Sequence, residues 1–213
     1  LAKNEGLTFD QRLAKRVLDL VVSIIALVIT SPVMLVIAIA IKAYDGGPVF
    51  FVQDRCTING KVFKIHKFRS MIENAEKDGE VIPATDDDAR ITPVGKIIRK
   101  TRLDELPQFF DILIGNMSVV GPRPERVEHV EKYVEEVPEF TYRMKVKGGL
   151  TGYAQIYGKY NTSAYDKLKL DLMYIQNYSI LLDLRLILMT VKIMFIKDST
   201  EGFEEIKPSE KKD

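Results

Sequence analysis

The chain has 213 residues, of which 46% are hydrophobic, and its formal net charge is +1 at pH 7. This length suits one domain, or one domain with a membrane anchor, and excludes a large multidomain protein. The near-neutral charge excludes the broad basic surface that binds nucleic acids, so we expect no nucleic-acid partner. One cysteine, Cys56, and two histidines, His66 and His129, are too few for a disulfide or a zinc site and favour a reducing compartment.

The strongest compositional signal is the segment Leu20–Ile41, which contains no charged residue. About 22 residues in a helix extend over roughly 33 Å, which is enough for the hydrocarbon core of a bilayer. A signal peptide is a poorer explanation, because the segment is too long and lacks a small-residue cleavage site. We therefore predict a membrane element, with a buried core helix as the alternative.

Two features of this apolar segment argue against a straight crossing. Basic residues flank both ends, with Arg16 before the segment and Lys42 after it, so both ends are expected on the cytosolic side. Pro32 removes a backbone hydrogen bond near the middle, and the Ser31 hydroxyl can satisfy the carbonyl that is freed. We predict a helix, a break at Ser31 and Pro32, and a second helix that returns to the same face of the bilayer. A kinked span is the alternative.

The remaining sequence predicts a mainly helical α+β fold. After a turn at residues 45–48, the runs Val49–Val52 and Val62–Phe68 predict a short β-hairpin. The acidic stretch Glu73–Asp88 is expected to be an exposed loop or short helix rather than a metal site. Helices are predicted from Pro93 to about Arg102, from about Glu105 to Ile114, from Glu125 to Val137 and from Asp166 to Asn177.

The last apolar segment, Ile180–Ile196, carries Asp183, Arg185 and Lys192. The two basic residues are seven positions apart and so lie near one helical face, which favours an amphipathic helix on the bilayer surface; a core helix fits equally well. The predicted organisation has three parts: a basic N terminus with a re-entrant membrane helix (1–44), a catalytic domain on the cytosolic face (45–198) and a charged tail (199–213).

Asp104 and Glu105 are the candidate catalytic residues. Pro107 is typical of the first turn of a helix, which places Asp104 or a neighbour at the helix N terminus. Asp104 is then either a structural cap or a nucleophile, and the local sequence favours both equally. A helix N terminus attracts phosphate, and a carboxylate can attack phosphorus if cations such as Arg99 offset the repulsion between anions. Glu105 would supply an oxygen ligand for Mg²⁺.

Several basic residues are candidates for phosphate binding. Arg123 lies between two prolines, and a rigidly held arginine loses less entropy on binding than a flexible one. A stiff turn with an incidental arginine is the alternative. Lys67 and Arg69 form a smaller basic pair at a strand end. Lys147 precedes the glycine-rich stretch 148–152, which matches neither a P-loop nor the dinucleotide fingerprint.

These residues together resemble the bacterial sugar transferases, the monotopic polyprenol-phosphate phosphoglycosyl transferases. The resemblance covers nearly the whole chain, and its motifs are specific in combination. The residues that carry it are Arg16, Asp19, Ser31, Pro32, Gln53, Arg55, Lys67–Met71, Arg99–Thr101, Leu103–Gln108 and Gly115–Pro124.

The resemblance implies a two-step transfer that depends on Mg²⁺. Asp104 would attack the β-phosphate of a UDP-sugar, UMP would leave, and undecaprenyl phosphate would then take the sugar phosphate from the enzyme. Glu105, beside Asp104, would bind the metal. Arg99 and Arg123 would lie near the phosphates. The resemblance also implies that the proline break makes the membrane helix re-entrant.

Other positions match the family less closely. Asp171 and Asp183 correspond to acidic positions, and Asp183 is equally suited to a structural role. Many members have Arg-Pro-Gly where this chain has Lys147 and two glycines, so only a point charge can be expected there. The region 157–171 is most similar to longer members, which carry an additional N-terminal membrane region and start polysaccharide repeat units with galactose or glucose phosphate. We therefore expect that the chain, which begins at Leu1, is part of a longer protein.

The implied location is the cytosolic face of the bacterial inner membrane. The implied partners are a UDP-sugar, undecaprenyl phosphate and the lipid bilayer, and a homo-oligomer is left open. Two other functions fit the same residues. One is a membrane-bound nucleotide-sugar hydrolase that uses water as the acceptor, and the other is a non-enzymatic membrane scaffold in which Asp104 only caps a helix.

Overall fold

The computed structural model describes residues 6–73, 75, 88–158 and 163–195, which form seven α-helices and four short β-strands. The helices are α1 (Phe9–Asp45), α2 (Pro93–Lys100), α3 (Gln108–Ile114), α4 (Val127–Glu136), α5 (Tyr153–Tyr157), α6 (Ala164–Gln176) and α7 (Ile180–Phe195). The strands are β1 (Phe50–Cys56), β2 (Val62–Phe68), β3 (Ser118–Val120) and β4 (Gly149–Thr151). The predicted mainly helical α+β class is confirmed. Most of the acidic stretch Glu73–Asp88 and the predicted tail 199–213 lie outside the described residues.

The predicted β-hairpin is present. β1 and β2 pair antiparallel, with Phe50 opposite Phe68 at the open end. The turn between the strands holds Asn59 at φ 56° and Gly60 at φ 71°, in the left-handed region that glycine and asparagine tolerate best. A second sheet, in which β3 and β4 pair in parallel, is not predicted by the sequence, because strands of three residues leave no periodic pattern.

The main hydrophobic core joins the hairpin to α3, β3, α6 and α7. Ile112 of α3, Val120 of β3, Tyr174 of α6 and Leu186 of α7 are all fully or almost fully buried in it, beside Ile65 of β2. Close packing of this kind resists displacement of any one element. The core therefore fixes α3 against β2, and with it the turn that precedes α3.

The first helix, α1, runs without interruption for 37 residues, so the predicted break at Ser31 and Pro32 is wrong. Pro32 lacks the N–H that would pair with the carbonyl of Val28, four residues earlier. The Ser31 hydroxyl donates to that carbonyl at 2.9 Å, which confirms the predicted contact of the hydroxyl. Because the freed carbonyl is satisfied locally, the helix continues past the proline.

Both ends of α1 pack against the same domain, whereas its middle is exposed. Near the start, Lys15, Asp19 and Ser23 are buried. Near the end, Ile37 and Ile41 are buried in a smaller core with side chains of α2 and β2. The exposed apolar side chains between these two contacts are Ile24, Ile25, Val28, Ile29, Val33, Leu35 and Val36.

Among the described helices, α1 is the one that is long and apolar enough, by length and composition, to cross a membrane. Only 11% of its most apolar 18-residue window is buried inside the protein. The core helix of a globular domain would be mostly buried, so the alternative of a core helix does not fit α1.

The last helix, α7, has features of both predictions made for its sequence, a core helix and an amphipathic helix. One face lies in the core, where Asp183 and Leu186 are fully buried. The opposite face exposes an apolar stripe at helical spacing, formed by Leu181, Leu184, Leu188 and Val191. The helix is therefore part of the core and also presents an apolar surface outward.

Candidate active site

Asp104 and Glu105 lie on a 3₁₀ turn just before α3. Arg102 enters this turn at φ 55°, in the left-handed region that residues other than glycine rarely adopt. α3 itself begins at Gln108, after Pro107, and no side chain caps it. Asp104 therefore does not cap α3, and the structural alternative that the sequence left open for it is not supported.

Glu105 is held by two cations from different parts of the chain. Its Oε1 accepts hydrogen bonds from Lys67 Nζ of β2 at 2.6 Å and from Arg123 Nη2 of the loop after β3 at 2.8 Å. The Glu105 side chain is 16% exposed, and burial alone would raise its pKa. The charges of Arg123 and Lys67 outweigh burial and hold the pKa of Glu105 far below its ordinary value, so this carboxylate stays ionised.

The neighbouring carboxylate of Asp104 has the opposite shift. Burial raises the pKa of Asp104, and the negative charge of Glu105 adds to this, while Lys67 and Arg99 act against it. A raised pKa makes a carboxylate more basic and hence a better nucleophile whenever it is ionised. The two adjacent acids are therefore electrostatically distinct.

Arg123 is presented by a loop whose backbone is fixed from two sides. Its carbonyl oxygen accepts a hydrogen bond from Arg143 Nη2 at 2.9 Å, and the carbonyl of Pro124 accepts one from Arg55 Nη1 at 3.3 Å. At the start of the loop, Gly121 lies so close to the backbone just before β4 that an added Cβ would be 2.5 Å from the Lys147 carbonyl oxygen. The guanidinium is thus held in place while the Arg123 side chain remains 43% exposed.

The predicted acidic residue Asp171 lies behind this loop. It is 1% exposed, and its Oδ2 accepts from Arg143 Nε at 2.7 Å. Because Arg143 also binds the Arg123 carbonyl, Asp171 acts on the site through Arg143. Sequence reasoning missed Arg143, which lies 28 residues before Asp171 in the chain and carries no local signal.

Asp183 lies elsewhere and has a structural environment. It is fully buried, and it accepts hydrogen bonds from Lys15 Nζ at 2.6 Å and from the Tyr174 hydroxyl at 2.8 Å. These contacts attach the start of α1 to α6 and α7. The structural alternative that the sequence left open for Asp183 is the one that these contacts favour.

Two predicted phosphate-binding residues are not brought to Glu105. Arg69 is buried and pairs with Asp45 at the end of α1. Lys147 lies near other charged residues instead. The charges that act on it come from Lys15, Arg16 and Asp19 at the start of α1 and from Lys61 after the hairpin turn. In the part of the chain that the structure describes, neither Arg69 nor Lys147 forms an ion pair with Asp104 or Glu105.

A shallow cleft opens beside the Glu105 ion pairs, between the hairpin, α3 and the Arg123 loop. Its walls include Arg55, Lys67, Gln108 and Arg123. Arg55 and Gln108 belong to the stretches that carry the family resemblance, although the sequence assigns them no role. Lys67 and Arg123 connect the cleft to Glu105, which both of them bind.

Asp104 and Glu105 are the two adjacent carboxylates that this chain would contribute to a Mg²⁺ site. Among the described residues, no group of three or more Asp, Glu, His or Cys side chains converges on one point. Mg²⁺ commonly binds one or two carboxylates and takes its other ligands from substrate phosphates and water. Glu105 Oε1 is occupied by Lys67 and Arg123, which leaves Oε2 and the Asp104 carboxylate as donors. The donor set fits Mg²⁺ in company with a phosphate.

Comparison with known proteins agrees with these features. The sequence profile of the bacterial sugar transferase family matches residues 10–197. A UDP-glucose:undecaprenyl-phosphate glucose-1-phosphate transferase of Klebsiella pneumoniae is 48% identical over 190 residues, which are 87% of this chain and 41% of that protein. A UDP-N-acetylgalactosamine-undecaprenyl-phosphate N-acetylgalactosaminephosphotransferase of Aeromonas hydrophila is 43% identical over 84% of this chain and 43% of its own length. An uncharacterised sugar transferase of Bacillus subtilis, EpsL, is 37% identical over 88% of this chain and 90% of its own length.

The chain thus spans less than half the length of the Klebsiella and Aeromonas relatives and nearly the whole length of the Bacillus relative. The family match includes the apolar helix, the hairpin and the turn with Asp104 and Glu105. The resemblance inferred from the motifs is confirmed, and the chain belongs to the bacterial sugar transferase family.

Proposed function

We propose that the protein transfers a hexose 1-phosphate from a UDP-sugar to undecaprenyl phosphate and releases UMP. The observation that carries this proposal is the 3₁₀ turn with Asp104 and Glu105, set among the cations Lys67, Arg99 and Arg123. Such a site suits a substrate with two phosphates, because the cations offset the repulsion between phosphate and carboxylate. The names of the relatives, which act on UDP-sugars and undecaprenyl phosphate, support the same substrates.

The first step in this proposal is an attack by Asp104 on the β-phosphorus of the UDP-sugar. One carboxylate oxygen forms a bond to phosphorus, and the bond from phosphorus to the bridging oxygen breaks. UMP leaves with that oxygen and its electron pair, and the sugar phosphate stays on Asp104 as an acyl phosphate. Lys67 and Arg123, already placed by Glu105, would stabilise the charge that develops on the phosphate oxygens.

The second step returns Asp104 to its starting state. An oxygen of undecaprenyl phosphate attacks the phosphorus of the adduct, and the bond to the Asp104 carboxylate breaks. The carboxylate is released as an anion, and the sugar diphosphate remains on the lipid. Both displacements occur at the same phosphorus, with Asp104 as the nucleophile in the first step and as the leaving group in the second.

Mg²⁺ fits this scheme through Glu105 Oε2 and the Asp104 carboxylate. A bound Mg²⁺ would neutralise negative charge on the diphosphate and help UMP to leave. The low pKa of Glu105 keeps its carboxylate ionised and able to bind a cation throughout the neutral pH range.

The membrane helix supports a location on one face of the bilayer. A straight crossing would place the ends of the apolar segment on opposite faces, about 30 Å apart. Both ends of α1 instead pack against the same domain, and Pro32 lies in the exposed stretch between them. We infer that α1 bends at Pro32 while it stays helical, so that its exposed middle enters the bilayer and both ends remain at the cytosolic face of the inner membrane, where the helix meets undecaprenyl phosphate.

Replacing Asp104 with asparagine tests the proposed mechanism. Asp104→Asn removes the anionic nucleophile but keeps the size of the side chain. Because Asp104 does not cap α3, and because burial and the charge of Glu105 disfavour its ionised form, the free energy of unfolding should stay the same or rise slightly. Transfer activity should fall by about a thousandfold or more, as for other removed nucleophiles. Activity at the wild-type level would refute the role of Asp104.

The hydrolase alternative is separated by measuring UMP release without any acceptor lipid. A transferase with an Asp104 adduct releases UMP up to one equivalent per enzyme and then stops. A hydrolase continues to release UMP at its steady rate. Mass spectrometry of the stalled enzyme should find the sugar phosphate on Asp104, and an unmodified Asp104 would count against the adduct.

A further inference from the structure

Two buried hydrogen-bond donors in the cleft lack partners. Among the described residues, Gln108 Nε2 and Arg55 Nε are inaccessible to solvent and make no hydrogen bond. Gln108 as a whole is only 2% exposed, yet both residues line the cleft beside Lys67 and Arg123. A buried donor without a partner costs about 1–3 kcal/mol, so its presence calls for an explanation.

Among the described residues, Arg55 forms no ion pair, although the charges of Glu125 and Glu105 act on it from farther away. Its Nη2 donates to Gln53 Oε1 at 2.6 Å and its Nη1 to the Pro124 carbonyl at 3.3 Å, and both of these acceptors are neutral. Burial, followed by the charges of Arg123 and Arg126, lowers the pKa of Arg55 to about 10. An anion in the cleft would relieve this repulsion and supply the missing acceptor oxygens.

A phosphate monoester has the acceptors that these donors need. It carries negative charge and three terminal oxygens, and guanidinium groups bind it well. We propose that Arg55 and Gln108 form a phosphate-binding subsite that holds the phosphate which is not transferred, next to the phosphate that reacts at Asp104. This inference rests on the proposed function, since it assigns the subsite to the substrates of that reaction.

The two-step scheme gives the subsite two successive occupants. In an in-line displacement the leaving group departs opposite the attacking atom. UMP therefore leaves on the side away from Asp104, and the phosphate of the acceptor lipid must approach from that same side. The subsite of Arg55 and Gln108 would hold the phosphate of UMP first and the phosphate of the polyprenyl chain second.

Gln108→Met tests the subsite because it removes the amide donors and keeps the length of the side chain. Equilibrium binding of UMP and of farnesyl phosphate is measured in detergent, without turnover. A lost hydrogen bond to a charged group predicts affinities about tenfold or more weaker for both ligands. The unfolding temperature of the free protein should stay the same or rise, because the substitution removes an unpaired buried group. A purely structural Gln108 would instead show a lower unfolding temperature.

Gln176→Met is the matched control, since it makes the same chemical change on the exposed face of α6. Arg55→Lys is a second variant, which keeps the charge but loses the Nε donor, and it should also weaken both ligands. Unchanged affinity for both ligands would overturn the subsite, and a loss for only one ligand would overturn its shared use. Because no catalysis is involved, these results are independent of the Asp104→Asn experiment.

Discussion

At the scale of single residues, the contacts of Glu105 separate its role from that of Asp104. Its carboxylate holds Lys67 and Arg123 together, so Glu105→Gln should leave two cations facing each other. We expect a loss of about 3 kcal/mol in the free energy of unfolding at pH 7, as when one partner of a largely buried ion pair is removed. Denaturation in detergent measures this loss, and Glu139→Gln, on an exposed glutamate, is the control.

The same substitution carries a pH signature with a definite sign. The folded pKa of Glu105 lies below its ordinary value of 4.5, so its stabilising contribution is present above pH 4.5 and is lost as the pH falls towards the folded pKa. The difference in stability between wild type and Glu105→Gln should therefore be constant from pH 7 to about pH 5 and shrink towards pH 3. A difference that does not depend on pH would contradict the ion-pair account.

At the scale of elements, α1 is attached to the domain through buried polar contacts. Lys15 Nζ binds Asp183 and lies 5.6 Å and 5.4 Å from the ring centroids of Tyr174 and Tyr178. Asp19 Oδ1 accepts from the Ser118 hydroxyl and from the backbone N–H of Val119, both at 2.8 Å. These contacts join residues that are about 100 to 170 positions apart, so the start of α1 is part of the tertiary structure.

A double-mutant cycle on Lys15 and Asp183 tests this attachment. Lys15→Met leaves the fully buried Asp183 carboxylate without its cation, and we expect a loss of about 3–5 kcal/mol in stability. Adding Asp183→Asn removes the unpaired charge, so the double variant should be more stable than Lys15→Met alone. Thermal unfolding of the four proteins provides the comparison. Additive losses would show that the two side chains do not depend on each other.

At the scale of the whole molecule, local sequence patterns predicted the helices and strands better than they predicted the contacts between them. The alternating runs of the hairpin and the apolar segment of α1 were recognised because each is a local feature of the chain. The break at Pro32 was predicted wrongly, since one hydroxyl at Ser31 compensates for the missing hydrogen bond. In the candidate site, Glu105 could be found from its motif. The Arg143 contact to the Arg123 carbonyl could not, because only the tertiary fold brings these residues together.

The topology of α1 gives a prediction for the molecule in its membrane. Arg12 and Tyr44 are exposed near the two ends of the helix, and Val28, near its middle, is 70% exposed from the protein. Single cysteines at these three positions, in a Cys56→Ala background, can be labelled with a maleimide that does not cross membranes. In inverted vesicles both end positions should react, because the two ends of α1 pack against one domain, which we propose lies on the cytosolic side. In intact spheroplasts neither end should react.

The cysteine at position 28 serves as the internal control, since lipid should protect it from the reagent on both sides. Denaturing the vesicles in detergent should make it reactive and show that the thiol is present. If positions 12 and 44 react from opposite faces, α1 spans the bilayer. In that case the exposed stretch between the two packed ends cannot be a re-entrant segment, and the domain would have to release one end of α1 upon insertion. The labelling pattern therefore decides between a helix that returns to the face it entered and one that separates from its own domain.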